Sequence, residues 1–110
     1  MKQGEIWMTN LNPTKGSEQN GVRPVIIISG NLLNDYANVV MVCPLTTSLK
    51  KYHGNLILTP NTFNGLSDIS EALTLHIRSV SKDRLISKLG KIKSEELQKI
   101  KNCLNDLLRY

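Results

Sequence analysis

The sequence predicts an α+β protein, mostly β: short strands curled into a small barrel or twisted sheet, with one amphipathic helix packed on it at the C-terminal end. Three observations carry this. β-branched apolar runs recur along most of the chain, separated by Asn, Gly, Pro and Ser, and only the last stretch changes to helical spacing. The third is size: 110 residues, 40% hydrophobic and 21% charged, give one domain, spanning 1–110, with one modest core. With a single Phe and a single Trp, that core must come from Val, Ile and Leu.

Each element follows in order. Residues 5–9 alternate polar and apolar, as a half-buried strand does, and Trp7 within them is core or dimer-interface mass. Residues 10–22 are rich in Asn, Pro, Gly and Ser without periodicity, a loop of the length that usually serves function, with Gly16 and Gly21 as hinges. Residues 23–29 form a strand buried on both faces, with Pro24 expected at its start because it cannot donate to a ladder. A short loop or helical turn covers 31–38, and 39–45 is a further apolar strand. The polar, basic stretch 46–53 leads into a strand over 55–59 that stops at Pro60. Residues 71–80 and 85–89 read as strands. In the final helix Ser94 is the expected N-cap, Glu95 and Glu96 suit the positive end of the helix dipole, and Leu97, Ile100, Leu104, Leu107 and Leu108 make one apolar stripe.

The same residues narrow the function classes. No apolar run approaches the ~20 residues of a membrane-spanning helix, and no signal-peptide pattern follows the first residues. Cys43 and Cys103 could pair, but without a secretory signal two reduced, buried thiols in a cytoplasmic protein are the expectation. A net charge of +5 favours an anionic partner, nucleic acid among them, and equally serves solubility. CxxC, HExxH and GxxxxGK patterns and metal-type carboxylate clusters are absent from the sequence, so no metal and no cofactor is expected.

The run Asn12-Pro13-Thr14-Lys15-Gly16-Ser17-Glu18-Gln19-Asn20-Gly21-Val22-Arg23-Pro24 resembles the signature loop of the MazF/PemK toxins, Pro-Thr-x-Gly-Ser-Glu-Gln-x-Gly-x-Arg-Pro. Pro44-Leu45-Thr46 is similar to the family's Pro-x-Thr strand end. The run Ala72-Leu73-Thr74-Leu75-His76-Ile77-Arg78 is similar to its late strand, and Arg84-Leu85, Gly90 and the terminal helix fall in register. The resemblance covers essentially the whole chain. It implies an SH3-like barrel of the CcdB/PemK type with a C-terminal helix, a homodimer, metal-independent and sequence-specific cleavage of single-stranded RNA, and neutralisation by a cognate acidic MazE-like antitoxin. A basic groove suits such a partner, since an acidic extended peptide can fold onto it.

Cleavage of this kind uses the RNA's own 2′-OH as nucleophile, leaving a 2′,3′-cyclic phosphate and a 5′-OH; the protein must align the backbone, offset charge and move two protons. Arg23, where loop meets buried strand, offers a planar fork of donors to phosphate oxygens; otherwise it caps loop carbonyls or pairs with Glu18. The resemblance places the catalytic arginine here too, and gives Thr46 the role of orienting the phosphate, with Thr47 and Ser48 one and two residues away. Glu18 could accept a proton, anchor the loop or stand solvated, and Gln19 and Asn20 could contact bases. Relatives carry an acidic residue where this chain has Leu75, so that proton-transfer role cannot be transferred. His76 next to it could act as acid, base or stacking partner, or be structural. Arg78, two residues on in the expected strand, shares its face. Lys50, Lys51, Lys82 and Arg84 extend a phosphate-tracking groove in which Tyr52 and His53 could stack bases. Two other readings stay open: a CcdB-like topoisomerase poison, disfavoured by an ending Leu107-Leu108-Arg109-Tyr110 in place of Trp-Gly-Ile, and an RNA-binding relative without cleavage.

Overall fold

The computed structural model describes residues 1–12 and 21–109. Among these the order is β1 (Glu5–Asn10), β2 (Val22–Ile27), α1 (Asn31–Tyr36), β3 (Val39–Thr46), β4 (Ile57–Leu58), β5 (Ser70–Ala72), β6 (Arg78–Ser81), β7 (Leu85–Lys91) and α2 (Ser94–Arg109). Two 3-10 turns, Thr74–His76 and Lys82–Arg84, flank β6. The strands form one antiparallel sheet in the order β4-β5-β3-β2-β1-β7. β3 carries β2 on one side, while its other side is shared: β6 takes Val39 to Val42 and β5 takes Leu45 and Thr46. A strand with three partners makes the sheet curl, and the result is a half-barrel with α2 against it.

The curl explains the β-branched run in β2. Val25 and Ile27 enter one apolar cluster with Leu11, Val40, Val42, Val80 and Leu85, while Ile26 between them enters a second with Ile6, Cys43, Leu45 and Ile100 of α2. Strand alternation sends neighbours to opposite faces, and both faces are covered. Full burial of each such side chain contributes roughly 1.5–3 kcal/mol.

Several sequence expectations shift. β2 begins at Val22, so Pro24 is its third residue, paired with Met8 of β1. The stretch 55–59 keeps only Ile57–Leu58 as strand. The expected strand over 71–80 is broken by the 3-10 turn Thr74–His76, because the chain leaves β3 after Ala72 and rejoins it at Arg78. His76 is therefore not a strand residue, and it does not alternate with Arg78 on one sheet face.

The last helix starts differently as well. Leu97 donates to the Lys93 carbonyl at 3.0 Å, and the Lys93 N–H donates to Glu96 Oε1 at 2.8 Å. Lys93, not Ser94, thus occupies the N-cap, and Glu96 supplies the reach-back half of a capping box. Ile100 and Cys103 are buried, whereas Leu107 and Leu108, expected in the buried stripe, are 47% and 79% exposed.

Candidate functional site

β1 and β2 are paired as far as Asn10 and Val22, with Thr9 against Arg23. Just beyond, the Leu11 N–H donates to the Gly21 carbonyl at 2.9 Å. The Gly21 N–H donates to Asn12 Oδ1 at 2.9 Å, and the Asn12 N–H to Asn10 Oδ1 at 3.0 Å. Two asparagine side chains therefore tie the neck of the connection between β1 and β2. Gly21, at φ +78, adopts the left-handed conformation this closure requires. Glu18, Gln19 and Asn20, together with Gly16, lie outside the described residues.

Arg23 is half-buried on β2. The β2–β3 ladder pairs Ile27 with Val42, Ile26 with Cys43 and Val25 with Pro44, and two steps further along that register stand Arg23 and Thr46. Alternation assigns both to the face that carries Val25 and Val42. Thr46 is only 4% exposed, and its Oγ1 accepts the Ser48 N–H at 3.1 Å. Its O–H can still donate. Thr47 and Ser48 stand in solvent.

Two more guanidinium groups gather at the loop neck. Arg78 Nη1 donates to the Leu11 carbonyl and Arg84 Nη1 to the Asn10 carbonyl, each at 3.4 Å. Beside them, Asn10, Asn12, Ser81, Asp83 and Arg84 line a polar recess of about 560 Å3. Lys82 is not part of this group: its ammonium donates to the Asn34 carbonyl in α1, where β3 begins, at the opposite end of that strand from Thr46.

From Thr46 the chain enters an exposed segment bearing Lys50, Lys51, Tyr52 and His53. The group that organises it is Glu71 of β5, a fully buried residue that sequence reasoning missed. Glu71 Oε1 accepts the backbone N–H of Lys50 at 2.6 Å and of Lys51 at 2.7 Å; Oε2 accepts that of Tyr52 at 3.2 Å and Asn55 Nδ2 at 2.7 Å. Burial alone would raise the carboxyl, but the Asn55 amide and the three backbone donors outweigh it and hold the group below the ordinary carboxylate range. The available signal was a lone carboxylate at the start of the expected strand 71–80, since a buried charge requires partners.

His76 lies elsewhere, in a small recess of about 160 Å3 with Tyr52, His53, Leu75, Cys103 and Leu107. Leu75 is 70% exposed. The structure thus brings Arg23, Thr46, Arg78 and Arg84 to the loop-neck end of the sheet, and His76 to the α2 side of the segment carrying Lys50 to His53. Cys43 and Cys103 are both free and buried, as expected, and burial pushes the Cys43 thiol up to about 12. Among the described residues no helix is long and apolar enough to cross a membrane.

Comparison with known proteins bears on this arrangement. A Mycobacterium tuberculosis protein named Endoribonuclease MazF9 is 32% identical over 109 residues, an alignment covering 94% of this chain and 92% of the relative. A crystal structure of MazF from Deinococcus radiodurans matches with a TM-score of 0.85 at 27% identity, over 100% of this chain and 97% of that one. A MazE–MazF structure from the same organism matches with a TM-score of 0.77 at 27% identity, over 98% and 95% of the two chains. The family profile described as PemK-like, MazF-like toxin of type II toxin-antitoxin system matches residues 2–108. The half-barrel with its terminal helix is thus matched nearly end to end, and the chain belongs to the PemK-like, MazF-like toxins of type II toxin–antitoxin systems.

Proposed function

We propose that this protein is a metal-independent, sequence-specific endoribonuclease toxin that cuts single-stranded RNA and so blocks translation. The observation that carries the reading is the register that leads Arg23 and Thr46 to adjacent strand ends beside the neck of the 13–20 connection. The relative named Endoribonuclease MazF9 supports the activity.

In this reading the RNA 2′-OH attacks the adjacent phosphorus, the bond to the 5′ oxygen breaks, and a 2′,3′-cyclic phosphate and a 5′-OH remain. The Arg23 guanidinium offsets charge on the non-bridging oxygens, and the Thr46 hydroxyl donates to one of them. One group takes the proton of the 2′-OH and another returns a proton to the leaving oxygen; Glu18 is one candidate, and His76, set apart from Arg23 and Thr46 in the recess beside α2, is the weaker one. Arg78, Arg84, Lys50, Lys51 and His53 bind the flanking strand, with Thr47, Ser48, Gln19 and Asn20 as further contacts. Lys82, engaged at α1, is the weakest member of that set.

A cognate acidic antitoxin is the proposed inhibitor, supported by the MazE–MazF structure that this chain matches. A homodimer is the proposed assembly, supported by the exposed apolar side chains Leu75, Leu107 and Leu108. A monomer in sedimentation at micromolar concentration would remove that part of the proposal. The two free thiols support a cytoplasmic site of action.

The test is incubation of long RNA with the protein in EDTA, followed by primer extension. Wild-type protein should give discrete cuts, and folded Arg23→Ala should give them about 10²–10³-fold more slowly. Leu75, where relatives carry a carboxylate, favours a second reading, RNA binding without cleavage; intact RNA throughout, with salt-dependent binding, would establish it instead.

A further inference from the structure

We infer that Glu71 is a positioning residue for RNA: its carboxylate fills the anion nest formed by the segment after Thr46 and thereby presents Lys50, Lys51, Tyr52 and His53 to the substrate in one fixed arrangement. This rests on the ribonuclease reading above.

Three successive backbone N–H groups, those of Lys50, Lys51 and Tyr52, converge on one carboxylate. Lys51 sits at φ 55, the only positive φ at a non-glycine among the described residues. Successive amides turned inward through a left-handed residue make a concavity that attracts anions. Such nests commonly receive phosphate, but this one already contains an anion from its own chain. These three backbone donors are therefore already engaged, and the side chains are left to meet RNA phosphate.

The surrounding contacts fix the segment at both ends. At its start, Thr46 stands opposite Glu71 in the β3–β5 ladder, and its Oγ1 holds the Ser48 N–H. At its end, Asn55 gives its amide N–H to Glu71, and its Oδ1 accepts from the Cys103 thiol of α2 at 3.6 Å. One buried carboxylate thus couples the strand end bearing Thr46, the basic segment and the terminal helix. A segment shaped before RNA arrives avoids the ordering cost of binding, so its loss should weaken affinity more than turnover.

The test uses the full-length protein, hydrogen exchange and an RNA oligonucleotide carrying a mapped cut site. In wild type the Lys50, Lys51 and Tyr52 amides should be protected nearly as well as β2 amides, equally with and without a 2′-O-methyl copy of the oligonucleotide. Glu71→Gln keeps the shape but turns an N–H donor toward backbone donors. It should lower protection of those amides about tenfold with β2 unaffected, and lower kcat/KM about tenfold, most of it as a raised KM. A loss confined to kcat, or unchanged KM despite lost protection, would overturn the assignment. If Glu71→Gln does not fold, wild-type exchange decides: protection that appears only with the oligonucleotide overturns it, and protection already complete without it supports it. If wild type cuts no RNA, the ribonuclease reading falls by itself, and oligonucleotide affinity in wild type and Glu71→Gln still decides the role of Glu71.

Discussion

Two buried carboxylates, Glu5 at the start of β1 and Glu71 of β5, are handled in different ways. At the start of the strand, Glu5 Oε1 accepts the Lys2 N–H at 2.9 Å and the Trp7 indole N–H at 3.0 Å, while Oε2 meets Lys88 Nζ at 3.0 Å. Across the sheet, on the far side of β2 and β3, Glu71 takes three backbone N–H groups and one side-chain amide. Glu5 binds two side chains and a nearby amide, so it ties down a corner. Glu71 spends three of its four bonds on consecutive backbone groups, so it dictates the path of an exposed segment. The difference teaches that burial of a charge marks function only when its partners lie in the site: one carboxylate stabilises the fold, the other shapes a surface.

The comparison can be broken most sharply at Arg23. Arg23→Ala should lower RNA cleavage by about 10²–10³-fold, the usual loss of one transition-state donor, and shift stability by less than about 1 kcal/mol. A large loss of stability in denaturant titration would make Arg23 structural and erase the contrast between the stabilising corner at Glu5 and the site.

The acid limb of stability is the next largest effect. Burial opposes ionisation of Glu5, but Trp7, Lys2 and Lys88 hold its carboxyl at about 2, down from 4.5. A carboxyl lowered in the folded state contributes stability above its unfolded value, and that contribution is lost as pH falls through the folded value. Stability should therefore decline from about pH 4.5 toward pH 2, with Glu71 adding in the same direction, and Glu5→Gln should flatten that decline. An equally steep decline in the variant would remove Glu5 from the account.

At neutral pH the same Glu5→Gln variant should cost about 1–2 kcal/mol and leave the cleavage rate unchanged, whereas Glu71→Gln changes KM. Smallest is Lys88→Ala. Its side chain is 49% exposed, so solvent screens the pair and the cost should stay below about 1 kcal/mol in thermal unfolding.

Much of the fold was legible because it rests on local pattern. The β2 run and the stripe Leu97, Ile100 and Leu104 name their own periods, and the sheet with its terminal helix follows. The break at Thr74–His76 was not legible. Ala72 to Val80 is apolar enough for one strand, and only the division of β3 between β5 and β6 forces the chain out and back. In the site, Arg23 and Thr46 were legible through the resemblance, and the β2–β3 register is a property of the pairing that no single strand announces. Asn10 and Asn12 read as ordinary loop residues, because an asparagine that closes a loop neck looks like one in solvent. Glu71 was hidden for a related reason: three of its four partners are backbone groups, which leave no trace in side-chain identity.

In the proposed reaction the substrate's own 2′-OH attacks the phosphate held between Arg23 and Thr46. Its most direct test is one RNA oligonucleotide containing a mapped cut site, compared with the same oligonucleotide carrying a single 2′-deoxy sugar on the 5′ side of the scissile bond. The all-ribose strand should be cut in EDTA to a 2′,3′-cyclic phosphate and a 5′-OH, and the substituted strand should stay whole. Cleavage of the substituted strand at the same bond would contradict the account.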